Sequence, residues 1–367
     1  MQQAMATTGL HKFGPPGIEP RLERTLEAFS RVPLTDEEVG KVNAKTVLDL
    51  SNRLRIESWC SEHPLIEQQA IECPVLVVGM PRTGTTATVG MLALDDRFRF
   101  LRAWEAGAPV PPPVAGEEDW DPRVIAAREA ARHYQMSHMH LHNPDGPEED
   151  LAMLAALDMR AYNGAYPMPD DYIDWWMHDD FRSTYAYLQK VFKLLQSNRP
   201  PSRWLLKSPP HLFRLDLLAE LYPDARFVMT HRHPRQLIGS VASLHCALHE
   251  QRCRPGSIDR HKVGQSLLAF WQEGMRRAME ARARIGEDRF IDVYNRDVVS
   301  RPIETFERIY DHIGLDLTPE LVARLEHYNA SNAPGAFGKH SYTLEEYGMT
   351  EADVAAAFAD YLERFQP

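Results

Sequence analysis

The chain has 367 residues, enough for one large α/β domain with insertions or for two domains. Its hydrophobic fraction of 44% allows a sizeable core and excludes global disorder. A net charge of −11 excludes the broad basic surface that a phosphodiester backbone requires, so nucleic acid is not expected as a partner. A small anionic ligand stays compatible, because a few cations in one cleft suffice. Cys60, Cys73, Cys246 and Cys253 show no CxxC spacing, which is the pattern of free thiols in a reducing cytoplasm. Met1 to Pro20 has no cationic-then-apolar leader, and no run approaches ~18 apolar residues. The expectation is a cytoplasmic chain with no transmembrane segment.

In chain order, residues 1–18 are polar, contain Gly14-Pro-Pro-Gly17 and read as a flexible N-terminal arm. Residues 19–367 read as one domain, beginning with a helical part over 19–72 in which Thr35-Asp-Glu-Glu38 marks a helix start. Val75 to Val78, between Pro74 and Gly79, is a short unbroken apolar run and predicts a strand buried on both faces. Thr86 to Leu94 is amphipathic at helical spacing. Phe98, Phe100 and Leu101 predict a short strand that carries Ala103-Trp-Glu105 to the end of the sheet. After the break at Pro109 to Pro113, a helix is expected over Pro122–His142, with Asp121 before it.

Residues of about 119–200 read as a helical insertion capping the sheet. Tyr162, Tyr166, Tyr172, Trp175, Trp176 and Phe181 within it would line an acceptor pocket or form ordinary core. Strands follow at Trp204–Lys207, Arg226–Thr230 and Phe290–Val293. Helices are expected over Leu212–Leu221, Pro234–His249, Ser257–Ile285, Pro302–Gly314 and Thr350–Phe365, with a loop from Asn329 to Gly348. This alternation predicts an α/β fold: a central, mainly parallel sheet in a P-loop NTPase-like three-layer arrangement.

Two stretches carry chemistry. Gly79-x-x-x-x-Gly84-Thr85-Thr86 has the spacing of a Walker A loop between a strand and a helix, where loop N–H groups and the helix dipole favour an anion. Thr85 stands where the Walker lysine would be, and the loop cation is Arg82. Such a loop suits one 5′-phosphoryl or phosphosulfate group better than a triphosphate with magnesium. The second stretch is Arg232 to Ser240. An arginine leaving a buried strand and a hydroxyl eight residues later, about two helical turns on, can share one phosphate.

Pro81-Arg-Thr-Gly-Thr-Thr86 resembles the 5′-phosphosulfate loop of sulfotransferases that use 3′-phosphoadenosine 5′-phosphosulfate (PAPS). Arg232-His-Pro-Arg-Gln-Leu-Ile-Gly-Ser240 resembles their 3′-phosphate motif. Trp104-Glu105, Leu206-Lys-Ser-Pro209, Tyr294 to Pro302 and Gly338 to Tyr342 are similar to the bacterial branch, so the resemblance spans about residues 74–348. It implies sulfuryl transfer from PAPS to a hydroxyl-bearing small-molecule, lipid or carbohydrate acceptor, with 3′-phosphoadenosine 5′-phosphate (PAP) as product and no metal. Arg82, Thr83, Gly84, Thr85 and Thr86 would hold the 5′ side, and Arg232 and Ser240 the 3′-phosphate. Lys339, His340 and Tyr342 would fold over the nucleotide.

The loop cation is arginine where the cytosolic branch has lysine, and that branch's histidine base is absent. Glu105, 23 residues after Arg82, is the candidate base, against the plainer reading that it pairs with an arginine such as Arg102. Lys207, at the end of an apolar strand, is implied to stabilise the transferring group together with Arg82. His231-x-His233 and His245-x-x-x-His249 have metal-compatible spacing, but no carboxylate or cysteine pattern completes a site. The alternatives are a P-loop small-molecule kinase and a non-catalytic nucleotide-binding protein.

Overall fold

Val75–Val78 forms β1, and all four residues are buried. The computed structural model describes residues 1–132, 143–160, 164–331 and 342–367. Around β1 lie β2 (Phe98–Arg99), β3 (Arg203–Lys207), β4 (Arg226–His231) and β5 (Phe290–Tyr294). Every pairing is parallel, and the order is β2-β3-β1-β4-β5. Val77 sits level with Lys207 on one side and with Val228 on the other. The chain runs from β1 to β2 and β3 on one side and then crosses to β4 on the other. The strand order therefore reverses between β1 and β4, where open α/β sheets form a ligand crevice at the carboxyl ends.

The period-two alternation of strand side chains divides the core into two layers. Val75, Val77, Leu205 and Val228 pack against Phe306, Ile309 and Tyr310 on one face. Leu76, Val78, Leu206 and Met229 pack against Leu237, Trp271 and Met275 on the other. Burying each such aliphatic side chain contributes about 1.5–3 kcal/mol. An apolar residue at every position of β1 is what a strand covered on both faces requires.

The helix Asp36–Glu62 starts where Thr35 accepts a hydrogen bond from the Glu38 N–H at 3.3 Å, with three acidic residues in its first turn. The expected arm is corrected here. Residues Gln2–Thr8 are helical, and Ala4, Phe13 and Ile18 are buried against Leu50 and Leu54 of the long helix. The expected helix Pro122–His142 is present as Pro122–Arg132, and its remainder lies outside the described residues. Thr350–Phe365 is two helices, Glu351–Ala357 and Ala359–Phe365, broken at Phe358, and the second of them docks against the end of β4.

Tyr172, Trp176 and Phe181 of the insertion are core residues. Trp176 sits edge-on to Phe181 and Phe213, at 5.0 and 5.6 Å between ring centroids. Tyr162 lies outside the described residues. All four cysteines are free, and burial pushes the Cys60 and Cys246 thiols up to about 11. No helix among the described residues is long and apolar enough to cross a membrane.

Candidate active site

The loop after β1 is held from beneath by Thr83. Its hydroxyl donates to the Met80 carbonyl at 2.6 Å and lies 2.7 Å from the Thr230 hydroxyl at the end of β4. Thr83 is buried, and its side chain ties the loop to β4. Arg82 is exposed at the crest, in the left-handed region at φ 68°. Gly84 has φ 98°, and a Cβ there would stand 2.6 Å from the Asn295 amide nitrogen; only glycine fits between the loop and the residue following β5. The helix Thr85–Leu92 then begins, with Thr85 buried and Thr86 exposed. Its first N–H groups have no partner within the helix and point into the crevice end of the sheet.

Arg232 leaves β4 beside this loop. Its Nη1 donates to the Arg82 carbonyl at 3.3 Å, and its Nε donates to Gln236 Oε1 at 3.2 Å. Ser240, half-buried, lies two turns into the helix Pro234–Arg252. Tyr342 joins the same helix, its O–H donating to the Gln236 carbonyl at 3.0 Å and its ring lying against Gly239. Lys339 and His340 lie outside the described residues. Among the described residues, neither Arg82 nor Arg232 is paired with a carboxylate. Two uncommitted cations beside a helix N-terminus form an anion site.

Lys207 stands on the other side of the loop, at the end of β3 and almost fully buried. Its Nζ is 3.0 Å from Glu149 Oε1. Its backbone N–H donates to Asp150 Oδ2 at 2.8 Å. Asp150 Oδ1 lies 2.6 Å from His211 Nε2, and the Tyr185 hydroxyl lies 2.8 Å from His211 Nδ1. Burial pushes the Tyr185 phenol well up, so it stays protonated. Tyr185, His211 and Asp150 thus cluster behind the strand end carrying Lys207, which Asp150 holds through the backbone N–H. Glu149 and Asp150 escaped the sequence reading; their only signal is the acidic run Glu148-Glu-Asp150 ahead of a short helix.

Glu105 contacts arginines of its own segment. It is fully buried, one oxygen pairing with the Arg99 guanidinium and the other accepting the Arg102 N–H at 3.0 Å. This closes a capping box on the helix Ala103–Gly107. Arg99 also lies over the Trp204 ring, 4.9 Å from its centroid. Both oxygens are engaged: Glu105 sits in a buried ion pair with Arg99, and Arg102 Nη1 lies 3.8 Å from the same oxygen, which matches the plainer of the two readings expected for it. Of the histidines of metal-compatible spacing, His231 contacts Asp292 and Tyr361, His233 accepts the Arg235 N–H, and His249 contacts the Gly164 carbonyl.

A family model described as the sulfotransferase family matches residues 74–319, well over half of the chain, and spans the loop after β1, Lys207 and the stretch from Arg232 to Ser240. The chain belongs to the sulfotransferase family. The omega-hydroxy-beta-dihydromenaquinone-9 sulfotransferase Stf3 of Mycobacterium bovis is 25% identical to it over 290 residues, covering 76% of this chain and 72% of that protein. The sulfotransferase STF9 of Mycobacterium avium superposes with a TM-score of 0.91 at 28% identity, covering 99% of this chain and 95% of its own. STF1 of Mycobacterium tuberculosis H37Rv gives 0.84 at 27% identity, covering 98% and 97%. The fold is therefore the P-loop-like fold of sulfotransferases, and the family implies PAPS as the sulfuryl donor.

In this sulfotransferase a separate cavity of about 330 Å³ opens between the insertion and the helices Pro234–Arg252 and Arg260–Ile285. Tyr166, Met168, Ile173, Ile258, Leu267 and Phe270 give it apolar walls, and His245 and His249 contribute imidazoles. Burial holds these two down to about 3 and about 4, so both are neutral at ordinary pH.

The packing of Tyr342 yields one expected result. A methyl at Gly239 would stand 2.7 Å from the Tyr342 ring, so Gly239→Ala must displace it. PAP affinity is expected to fall several-fold with little change in melting temperature, measured by titration and by thermal unfolding. Unchanged affinity would separate Tyr342 from the nucleotide site.

Proposed function

We propose that this sulfotransferase binds PAPS across the crevice between β1 and β4 and transfers its sulfuryl group to a hydroxyl of an apolar acceptor. The observation that carries this reading is the Arg232–Arg82 contact, which joins two anion-binding stretches at the point where the strand order reverses. Arg82, Gly84, Thr85 and Thr86 take the 5′-phosphosulfate side through loop and helix N–H groups and the guanidinium. Arg232 and Ser240 take the 3′-phosphate, with Tyr342 alongside.

The acceptor oxygen attacks sulfur as the bond from sulfur to the 5′-phosphate oxygen breaks, and PAP leaves. The acceptor proton passes to Glu149, the carboxylate that the structure sets beside Lys207. Lys207 and Arg82 oppose the charge that develops on the transferring group and the departing oxygen; their fixed positions make them electrostatic catalysts. An apolar acceptor is supported by a relative named for a hydroxyl-bearing menaquinone.

The test is calorimetric titration of PAP against wild type and Arg232→Ala, with ATP plus magnesium as control. Two charge-assisted hydrogen bonds of about 1.5 kcal/mol each predict a loss of about 10²-fold in PAP affinity. Equal PAP binding by the variant, or preference for ATP with magnesium, would overturn the reading.

A further inference from the structure

The final helix, Ala359–Phe365, reaches back to the strand end from which Arg232 emerges. Tyr361 is buried there, its hydroxyl 3.1 Å from Nδ1 of His231, the residue immediately before Arg232. His231 is itself fully buried, with Nε2 2.8 Å from Asp292 Oδ1 and its ring stacked on Phe365 at 4.3 Å between centroids. Although burial opposes it, hydrogen bonds from His231 and Arg282 hold the Asp292 carboxyl below its usual range, so it accepts only. Nε2 must then carry the imidazole hydrogen, Nδ1 must accept, and the Tyr361 O–H must donate to it. A second tether fixes the same helix: the Tyr294 O–H at the end of β5 donates to the Phe365 carbonyl at 2.9 Å.

We infer that Tyr361 is a positioning residue for the nucleotide, holding from the C-terminal helix the His231 side chain and so the end of β4 from which the Arg232 guanidinium projects. This rests on the assignment of Arg232 to the 3′-phosphate. In the chain Asp292–His231–Tyr361 each donor meets an acceptor, so it has a single arrangement.

A double-mutant cycle tests it. PAP is titrated against wild type, Tyr361→Phe, Arg232→Ala and the double variant, and steady-state constants are measured for PAPS. Phenylalanine keeps the ring and its stacking and removes only the oxygen; thermal unfolding checks that the fold is retained. Tyr361→Phe is expected to raise the PAP Kd about tenfold, the value of one net hydrogen bond, and to raise KM for PAPS with kcat unchanged. In the Arg232→Ala background it should change the Kd less than twofold. Wild-type affinity in Tyr361→Phe, or a loss that adds in full to that of Arg232→Ala, overturns the inference while leaving the Arg232 assignment standing. Wild-type affinity in Arg232→Ala overturns both.

Discussion

Glu149→Gln is expected to lower kcat by about 10²- to 10⁴-fold, the range for removing a general base, while PAP affinity changes little. The amide keeps the size of the side chain and a hydrogen-bonding oxygen toward Lys207, but it cannot take the acceptor proton. Glu149 is 32% exposed, so the substitution buries no new unpaired group and the melting temperature should hold within a few degrees. Single-turnover sulfuryl transfer with saturating PAPS isolates the chemical step from nucleotide binding. A loss under tenfold would remove Glu149 from proton transfer. A larger catalytic loss in folded Glu105→Gln would return the role to Glu105.

Glu105→Ala is expected to act on folding. Removing one partner of a buried ion pair leaves the Arg99 guanidinium without its anion at 5% exposure, at a cost of about 3–5 kcal/mol. Burial alone already lowers the Arg99 pKa, and Glu105 is the carboxylate that offsets this penalty. The capping box of Ala103–Gly107 is lost with it. Urea unfolding should show the midpoint falling with little change in slope. Full stability in Glu105→Ala, combined with abolished turnover, would contradict the structural assignment.

The parts legible in the sequence are those whose signals are local. β1 shows as four apolar residues between Pro74 and Gly79, and the loop shows as glycine spacing before a helix. β4 and Arg232 follow the same logic, because a strand end and the next helix are consecutive in the chain. Glu149 is 58 residues from Lys207, and their meeting depends on where β3 joins the sheet. Tyr361 lies 130 residues from His231 and has no spacing pattern to mark it. Residues 1–18 misled through composition: their polar and proline-rich character hides Ala4, Phe13 and Ile18, whose partners lie on a helix about 40 residues away. For Glu105 the nearby partner Arg102 was readable, but the closer one, Arg99, faces it only once the short β2 has turned into the following helix. Thr83 matched the loop motif as a residue type, but its hydroxyl turns inward to β4.

The left-handed backbone at Arg82 has an evolutionary side. A bulky residue at φ 68° carries a conformational penalty of about 1 kcal/mol or more, which glycine at that position would not. Selection for heat resistance alone would drift toward glycine at 82 and discard the guanidinium. Selection for turnover keeps arginine and tolerates a less durable loop. Position 82 is thus a point where the two pressures oppose each other, and libraries screened only for melting temperature should enrich inactive sequences there.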